Sequence, residues 1–323
     1  MNRYDGYEFT TFQHHANDST SLADNWLHAL SQTRTGELLV GTQKGGVSIY
    51  NQRKGTFTNL HPKSLGIYSD HYLNLGKTLL QIDEETIWLG MTPGIIAMDL
   101  SKDTSFYLVA GGGLGVNCFI QDQAGNIWVG TNQGLLLGSA GSDGAPPPFE
   151  ALPHGTTGAV HALTFNQKGQ LIVGADQGVF ILQEQKSSWE IIEELPQFKE
   201  VNSIVCDNKG RVWIGGRRGL SVLEEGAKTM SPKAARLLHE NRLDRRYINV
   251  LYLDRENNLW IGTTNNGLLR LFLSDQHFPL FRPKLQENDA GSTTDITSAH
   301  MDPDGTIWLG TYGGGLLRFD REN

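Results

Sequence analysis

The chain has 323 residues, of which 19% are charged and 38 are glycine, and its formal net charge is -8. This acidic balance argues against nucleic acid or an anionic membrane surface as the main partner. The sequence has no apolar run of about 18 residues that could span a bilayer, and its first residues lack the apolar core of a signal peptide. We therefore expect no nucleic-acid partner, no membrane segment and no export signal in this chain.

A short apolar phrase that ends in glycine recurs along the chain, after an alternating segment at residues 7–12 that predicts a first strand. In chain order the seven copies end at Gly41, Gly90, Gly130, Gly174, Gly215, Gly262 and Gly310, which are 40 to 49 residues apart. A fixed period of this size, built from strand-like units, is typical of β-propeller blades. The sequence therefore predicts an all-β, seven-bladed β-propeller that forms one domain over residues 1–323.

The third copy shows how one repeat predicts one blade. Val116 to Gln121 is a short apolar strand. Asp122 and Gly125 predict the turn after it, because aspartate bonds to the turn backbone and glycine adopts positive φ. Ile127 to Gly130 is the second strand, and residues 135–137 are the third. The second strand is apolar throughout, which indicates that neighbouring blades bury both of its faces.

Tryptophan occupies the middle of the second strand in five of the seven copies, and Leu39 and Ile172 replace it in the other two. An indole ring at this place is expected to fill the wedge between neighbouring blades, where it can bury about 150–250 Å². We interpret these tryptophans as structural residues. They are Trp88, Trp128, Trp213, Trp260 and Trp308.

Two stretches interrupt the repeat. Residues 138–153 are rich in glycine and proline and predict a loop between strands. Residues 224–246 are longer than their counterparts, and Pro232 to His239 predicts a short helix within them. Cys118 and Cys206 belong to the opening strands of blades that are not adjacent, so we expect two buried free thiols rather than a disulfide.

The C-terminal residues predict how the ring closes. Leu317 to Asp320 resembles Asn2 to Asp5, so the chain stops after the third strand of its seventh blade. The alternating segment at residues 7–12 is predicted to supply the missing outer strand. A blade built from strands of both termini leaves only short, protected edges.

The phrase apolar-Trp-apolar-Gly-Thr, followed by Gly-Leu and preceded by Asp-x-x-Gly, resembles the two-component regulator propeller repeat, as does the segment from Asn2 to Phe9 followed by Asn17 to Asn25. The resemblance covers nearly the whole chain. It implies the periplasmic sensor half of a larger bacterial membrane protein, such as a hybrid histidine kinase that detects glycan fragments or a protein with a diguanylate cyclase module. In that family a β-sandwich, a membrane helix and an output domain usually follow. This chain lacks them, so we expect a detached sensor propeller or a truncated gene product.

Positions at which the repeats differ predict a ligand site. The loops that lead into the inner strands and those that join the second and third strands share one face of a propeller, and such loops commonly carry function. Arg217 and Arg218 replace small polar residues, and Lys44 and Tyr312 occupy comparable turns. The other candidates lie near the starts of inner strands and are Asn25, Trp26, Asn117, His161, Asn202, Arg246 and Tyr247. Aromatic planes with amide and guanidinium donors suit a sugar or a carboxylated oligosaccharide, although any single position could be an ordinary loop residue.

The predicted function is that of a non-enzymatic sensor which binds an extracellular glycan or another small ligand. The sequence has no zinc spacing, phosphate loop or nucleophile elbow, so we expect no catalytic residue, metal or cofactor. A second copy of the chain in the parent receptor is a further candidate partner. One alternative is a scaffold for a protein partner, with an exposed apolar patch. The other is a lyase with a histidine, a carboxylate and a divalent metal on the axis, because antibiotic-inactivating lyases share the fold.

Overall fold

Short strands joined by tight turns make up most of the chain in the computed structural model, which describes residues 2–4, 9–43, 46–60, 74–92, 94–99, 104–108, 114–139, 147–152, 158–186, 188–273, 280–281, 295–302, 306–312 and 315–319. The strands up to residue 108 are β1 (Asn2–Tyr4), β2 (Phe9–Thr11), β3 (Leu27–Gln32), β4 (Leu38–Thr42), β5 (Val47–Asn51), β6 (Thr56–Leu60), β7 (Asn74–Gln81), β8 (Thr86–Thr92), β9 (Gly94–Asp99) and β10 (Thr104–Leu108). Those up to residue 206 are β11 (Val116–Gln121), β12 (Asn126–Thr131), β13 (Gly134–Ser139), β14 (Glu150–Ala151), β15 (Val160–Phe165), β16 (Leu171–Ala175), β17 (Val179–Gln185), β18 (Ser188–Leu195) and β19 (Val201–Cys206). The remaining strands are β20 (Val212–Gly216), β21 (Gly219–Leu223), β22 (Ile248–Leu253), β23 (Leu259–Thr263), β24 (Leu268–Leu271), β25 (Leu280–Phe281), β26 (Ile296–Met301), β27 (Ile307–Thr311) and β28 (Gly315–Phe319).

The strands pair with their neighbours in sequence, and those of the described residues form seven sheets, one for each repeat. The sheets are β3 to β6, β7 to β10, β11 to β14, β15 to β18, β19 to β21, β22 to β25, and β26 to β28 with β1 and β2. The first strands contact one another in the order β3, β7, β11, β15, β19, β22 and β26, and β26 contacts β3. These inner strands therefore close a ring around an axis, and the prediction of an all-β propeller is confirmed.

Strands from both termini lie in the last sheet, as predicted. β1 pairs in parallel with β28, and β2 pairs antiparallel with β1 at the outer edge. The segment at residues 7–12, which was predicted to supply the missing outer strand, contains β2 at this edge. β1 occupies the free edge of β28, and so β2 becomes the fifth strand of that sheet.

The second strand of each sheet is the most buried element, as its continuous apolar sequence predicts. Every residue of β4, β16, β20, β23 and β27 is buried. The five repeat tryptophans are at most 3% exposed, which confirms that they are core residues.

An aspartate in the first hairpin turn fixes the indole ring of the second strand. Asp207 Oδ2 accepts a hydrogen bond from Trp213 Nε1 at 2.9 Å, and its Oδ1 accepts the backbone N–H groups of Lys209 and Arg211, both at 2.9 Å. The same carboxylate-to-indole bond occurs in three more sheets of the described part of the chain, with the tryptophan six positions after the aspartate. These pairs are Asp122 and Trp128 at 3.3 Å, Asp254 and Trp260 at 3.0 Å, and Asp302 and Trp308 at 2.9 Å.

The repeated glycine lets each sheet approach the next one closely. A Cβ atom added to Gly174 would lie 2.6 Å from Val201 Cγ1, on the first residue of the next inner strand. The corresponding distances for Gly90, Gly130, Gly215 and Gly262 to the next inner strand are 2.5 to 2.8 Å. Real side chains do not pack at such distances, so only glycine fits where one sheet meets its neighbour.

A helix replaces the outer strand of the fifth sheet, which has three strands among the described residues. Helix α1 (Pro232–Glu240) contains the segment predicted to be helical. Ser231 caps it, with its Oγ accepting the Ala234 N–H at 3.3 Å, and a 3₁₀ turn at Leu243–Arg245 follows. Leu238 and Leu243 bury their side chains against the sheet. No helix in the described ranges has the length and apolarity needed to cross a membrane.

We predict that Gly174→Ala destabilises the protein by about 1–3 kcal/mol, the usual cost of overpacking. The new methyl group would meet Val201 and also Ile204, both of which are buried. Urea unfolding should show less than additive destabilisation when Val201→Ala is added, because the smaller side chain makes room. Gly310→Ala is the matched control, since Leu27 Cβ would lie 3.6 Å away and the Ser298 hydroxyl can rotate. Full additivity of Gly174→Ala and Val201→Ala would contradict this account.

Candidate functional site

In six sheets of the described part, two loops are joined on one face of the ring, as predicted. The first residue after the second strand donates its backbone N–H to the carbonyl oxygen of the residue before the inner strand, at 2.8 to 3.1 Å. We call these residues the upper rim. In the described residues the donor and acceptor pairs are Gln43 and Trp26, Asn132 and Gly115, Asp176 and Ala159, Arg217 and Glu200, Thr264 and Tyr247, and Tyr312 and Asp295.

An arginine cluster, made of Arg217, Arg218, Glu200 and Tyr247, lies on the rim between the fifth and sixth sheets. Arg217 Nη1 is 3.5 Å from Glu200 Oε1, and Arg218 Nε is 3.3 Å from Glu200 Oε2. Arg217 Cζ also lies 5.7 Å from the centre of the Tyr247 ring. Both arginine side chains are about two thirds exposed, at 65% and 64%. Hydrogen bonding to Tyr247, with the charge of Glu200, raises the pKa of Arg217, so this cation stays charged at any physiological pH.

Glu200 holds the arginine cluster together and was missed by the sequence analysis. Its φ of 57° lies in the left-handed region, which costs a non-glycine residue about 1 kcal/mol or more. Gly216, which stands where four other sheets have threonine, leaves room for this conformation, since an added Cβ would collide with the Glu200 carbonyl oxygen. Glu200 directly precedes an inner strand, and its carbonyl oxygen accepts the Arg217 N–H. Comparing the residues before the inner strands would therefore have identified Glu200.

Arg246 directly precedes Tyr247 and is a second unusual cation of this region. Its Nε and Nη1 atoms are buried, and within the described structure they have no hydrogen-bond partner. Buried guanidinium N–H groups normally have an acceptor, so an added acceptor oxygen here would be favourable.

An exposed aromatic pair lies on the rim where the last sheet meets the first. Trp26 is 39% exposed and Tyr312 is 42% exposed. Their ring centres are 4.5 Å apart in an edge-to-face arrangement. Asn25, next to Trp26, accepts the His14 N–H with its side-chain oxygen at 2.7 Å. The structure thus brings Tyr312 to Trp26 and its neighbour Asn25, although nearly the whole chain separates Tyr312 from these two residues in the sequence.

In six of the inner strands the second residue lies at a β-bulge, and because inner strands surround the axis of a propeller, we call these residues the inner polar ring. The bulge follows the first residue in six inner strands of the described part. The inner polar ring comprises His28, Asn117, His161, Asn202, Asn249 and Thr297. Asn249 and Thr297 were not among the predicted residues, but comparing the second position of each inner strand would have found them.

Several members of the inner polar ring connect neighbouring sheets. The Asn117 side-chain amide donates to the Val160 carbonyl at 2.9 Å, and that of Asn202 donates to the Ile248 carbonyl at 2.8 Å. The Thr297 hydroxyl donates to the Leu27 carbonyl at 3.0 Å. These bonds explain why polar residues stand at these positions, and a role of Asn117 and Asn202 in ligand binding stays a prediction.

Two further polar side chains, Asp176 and Lys77, contact members of the inner polar ring. His161 Nε2 is 3.0 Å from Asp176 Oδ1. Lys77 Nζ donates to Asn117 Oδ1 at 3.2 Å. Desolvation lowers the pKa of His28, which favours its neutral imidazole, and it also lowers the pKa of Lys77. The predicted residue Lys44 lies outside the described residues.

The two cysteines do not belong to the groups described above. Cys118 and Cys206 are free, as predicted, but each is half-buried rather than buried. Burial raises the pKa of Cys118 to about 12, which makes its thiol unreactive. No three His, Cys, Asp or Glu side chains in the described ranges are grouped so that they could hold a metal ion.

His300 is a half-buried histidine on the inner strand β26, with its Nε2 atom buried, and its ring lies 6.4 Å from that of Tyr252 between centres. Desolvation lowers the pKa of His300 to about 4 from an ordinary 6.5. Burial also raises the pKa of Tyr252 to about 12, so tyrosine stays neutral beside it. In the unfolded chain His300 binds a proton near pH 6.5, whereas in the folded chain it does so only near pH 4. The folded state therefore loses stability as the pH falls from 6.5 to 4.

We predict that His300→Gln removes part of this loss, because the variant has no imidazole to protonate. The contribution of His300 at pH 4 is at most about 3 kcal/mol by linkage. Urea unfolding at pH 7, 5.5 and 4 measures it, and the exposed His15→Gln variant is the control. Equal loss of stability in the unaltered protein and His300→Gln would show that this histidine is not desolvated.

Four segments of the sequence match the family described as Two component regulator propeller, at residues 111–133, 197–218, 243–265 and 290–313. Each segment runs from the residues before an inner strand into the turn after the second strand. No curated protein sequence matches the chain.

Solved structures with the same fold include two bacterial surface proteins. The extracellular domain of a hybrid two component system from B. thetaiotaomicron is 18% identical, with a TM-score of 0.68 over 95% of this chain and 39% of that chain. PorZ, a surface component of the type-IX secretion system of Porphyromonas gingivalis, is 16% identical, with a TM-score of 0.68 over 97% of this chain and 48% of that chain. The chain thus spans less than half the length of either protein.

An enzyme has the same fold. Virginiamycin B lyase from Staphylococcus aureus, in a catalytically inactive form with quinupristin, is 14% identical, with a TM-score of 0.68 over 95% of this chain and 97% of that chain. At this level of identity, the similarities establish the propeller fold. The function must be inferred from the residues of the site.

Proposed function

This chain carries repeats of the two-component regulator propeller family, and from that premise we propose that it is a ligand-binding sensor propeller of a bacterial signalling protein. In this proposal the 323 residues form one seven-bladed unit that acts outside the cytoplasm and catalyses no reaction. The upper rim is the binding face, because it gathers the residues at which the repeats differ.

The observation that carries the proposal is the exposed arginine cluster. Two cations lie within 3.5 Å of one carboxylate and remain about two thirds exposed, so a ligand can reach them. Guanidinium groups recognise carboxylates with directed hydrogen bonds, and the neighbouring Tyr247 ring offers a flat apolar surface. Arg246 adds buried N–H groups that lack an acceptor. An acidic group attached to a sugar ring would satisfy both features.

The aromatic pair supports a glycan as the ligand class. Trp26 and Tyr312 stay exposed on the rim although rings of this size are normally buried. Sugar rings stack on exposed aromatic faces, and the amides of the inner polar ring can bond to hydroxyl groups. We therefore propose a carboxylated oligosaccharide that lies across the rim.

We predict that oligosaccharides containing uronic acids bind the protein at least tenfold more weakly after Arg217→Ala/Arg218→Ala, because the ligand carboxylate loses both guanidinium partners. Isothermal titration with neutral and carboxylated oligosaccharides measures this. Glu200→Gln should act in the opposite direction and tighten binding, since it removes the carboxylate that competes with the ligand.

Arg236→Ala is the matched control, because Arg236 is exposed on α1 and pairs with Glu240. It should leave binding unchanged. Absence of binding to every oligosaccharide, or equal binding by the double variant, would refute the proposed site.

A further inference from the structure

The replacement of an outer strand by a helix leaves a cavity beside the fifth sheet. Its volume is about 170 Å³, and it lies between α1 and the side chains of Arg211, Trp213 and Val222. A cavity of about 150 Å³ lined by apolar groups is large enough for benzene. This cavity therefore has room for a compact ring, and it is separate from the residues of the upper rim.

One wall of the helix cavity carries a cation with an unused donor. Arg211 Nε is 2.6 Å from Asp207 Oδ2, and its Cζ lies 5.3 Å from the centre of the Trp213 ring. Its side chain is 18% exposed. The Nη2 atom is fully buried and has no hydrogen-bond partner among the described residues. Buried guanidinium nitrogens normally donate a hydrogen bond, so an acceptor oxygen near Arg211 Nη2 would be favourable.

The opposite wall is the first part of α1. Ser231, Lys233 and Ala234 line the cavity there. The start of a helix favours negative charge, and Lys233 adds a positive one. Glu224 also lines the cavity, so the lining side chains other than Arg211 carry one charge of each sign. The preference for an acceptor with negative charge therefore comes from Arg211 and the helix start.

The rest of the cavity is apolar. Trp213, Val222 and Leu238 are at most 4% exposed, and Leu237 is half-buried. Such a surface gains free energy when it covers an apolar group. The cavity thus combines one donor without a partner and a compact apolar space, which is the usual composition of a small-molecule site.

We propose that this cavity binds a small monocarboxylate with a compact apolar group of about the size of a benzene ring. The carboxylate binds the Arg211 guanidinium, whose Nη2 turns toward the cavity by a small side-chain rotation and donates a hydrogen bond, and the apolar group contacts Trp213 and Leu238. This site is independent of the rim and does not rest on the sensor proposal.

Titration of the full chain with benzoate tests the proposal, with amide NMR shifts and calorimetry as readouts. We expect saturable binding, with shifts in α1 and β20, and at least tenfold weaker binding of toluene and of benzamide. Arg211→Lys should weaken benzoate binding by a similar factor, because ammonium cannot replace the guanidinium donor at that place.

Arg211 also bonds to Asp207, so Arg211→Lys can lower the stability of the protein as well as its affinity for benzoate. A second variant therefore leaves Arg211 unchanged. Ala234→Leu fills the cavity from α1 and should abolish benzoate binding. Ala235→Leu is the matched control, because Ala235 is half-buried on the same helix but does not line the cavity. Absence of saturable binding, equal binding of toluene or benzamide, or undiminished binding by Ala234→Leu would overturn the proposal. None of these outcomes affects oligosaccharide binding at the rim, which depends on other residues.

Discussion

A buried carboxylate in the first turn of a sheet is the interaction on which this propeller depends. Asp207 is fully buried and accepts hydrogen bonds from its own turn, from Arg211 and from the Trp213 indole. The turn, the second strand and the wedge between sheets are thus held by one side chain. Because the carboxylate has all these partners, its burial does not carry the usual cost of an unpaired charge. The same unit recurs in four sheets of the described part, and the two cysteines of the chain are free.

The chain itself contains the comparison that supports this view. Where Leu39 replaces the tryptophan, Thr33 stands in the turn, and where Ile172 replaces it, Asn166 does. The Asn166 side chain still accepts the turn N–H groups of Lys168 and Gln170, both at 3.0 Å. Aspartate is therefore absent from the two turns in which no indole donor follows. The turn by itself needs one side-chain oxygen to accept its N–H groups, which asparagine provides. A carboxylate has a second oxygen that accepts the indole N–H.

The repeat, its period and its apolar second strand were sufficient to predict the ring, the buried tryptophans and the shared face of the loops, because these features follow from local pattern. Contacts between side chains of different sheets could not be predicted in the same way. Asn202 and Ile248 are 46 residues apart, and their bond appears only when the sheets are placed side by side. The left-handed Glu200 and the unpartnered Arg211 nitrogen likewise depend on the packed structure. The arginine cluster on the rim thus lies apart from the repeated scaffold, whereas Arg211 and Trp213 belong both to the scaffold and to the proposed cavity site.

A double-mutant cycle on Asp207 and Trp213 measures the central interaction most directly. The free energy of unfolding is compared for the unaltered chain, Asp207→Asn, Trp213→Phe and the double variant. If the carboxylate-to-indole bond stabilises the sheet, the coupling energy is about 1.5–3 kcal/mol, as for other hydrogen bonds to a charged group. Effects that add within about 0.3 kcal/mol would contradict the account, since independent sites behave in that way.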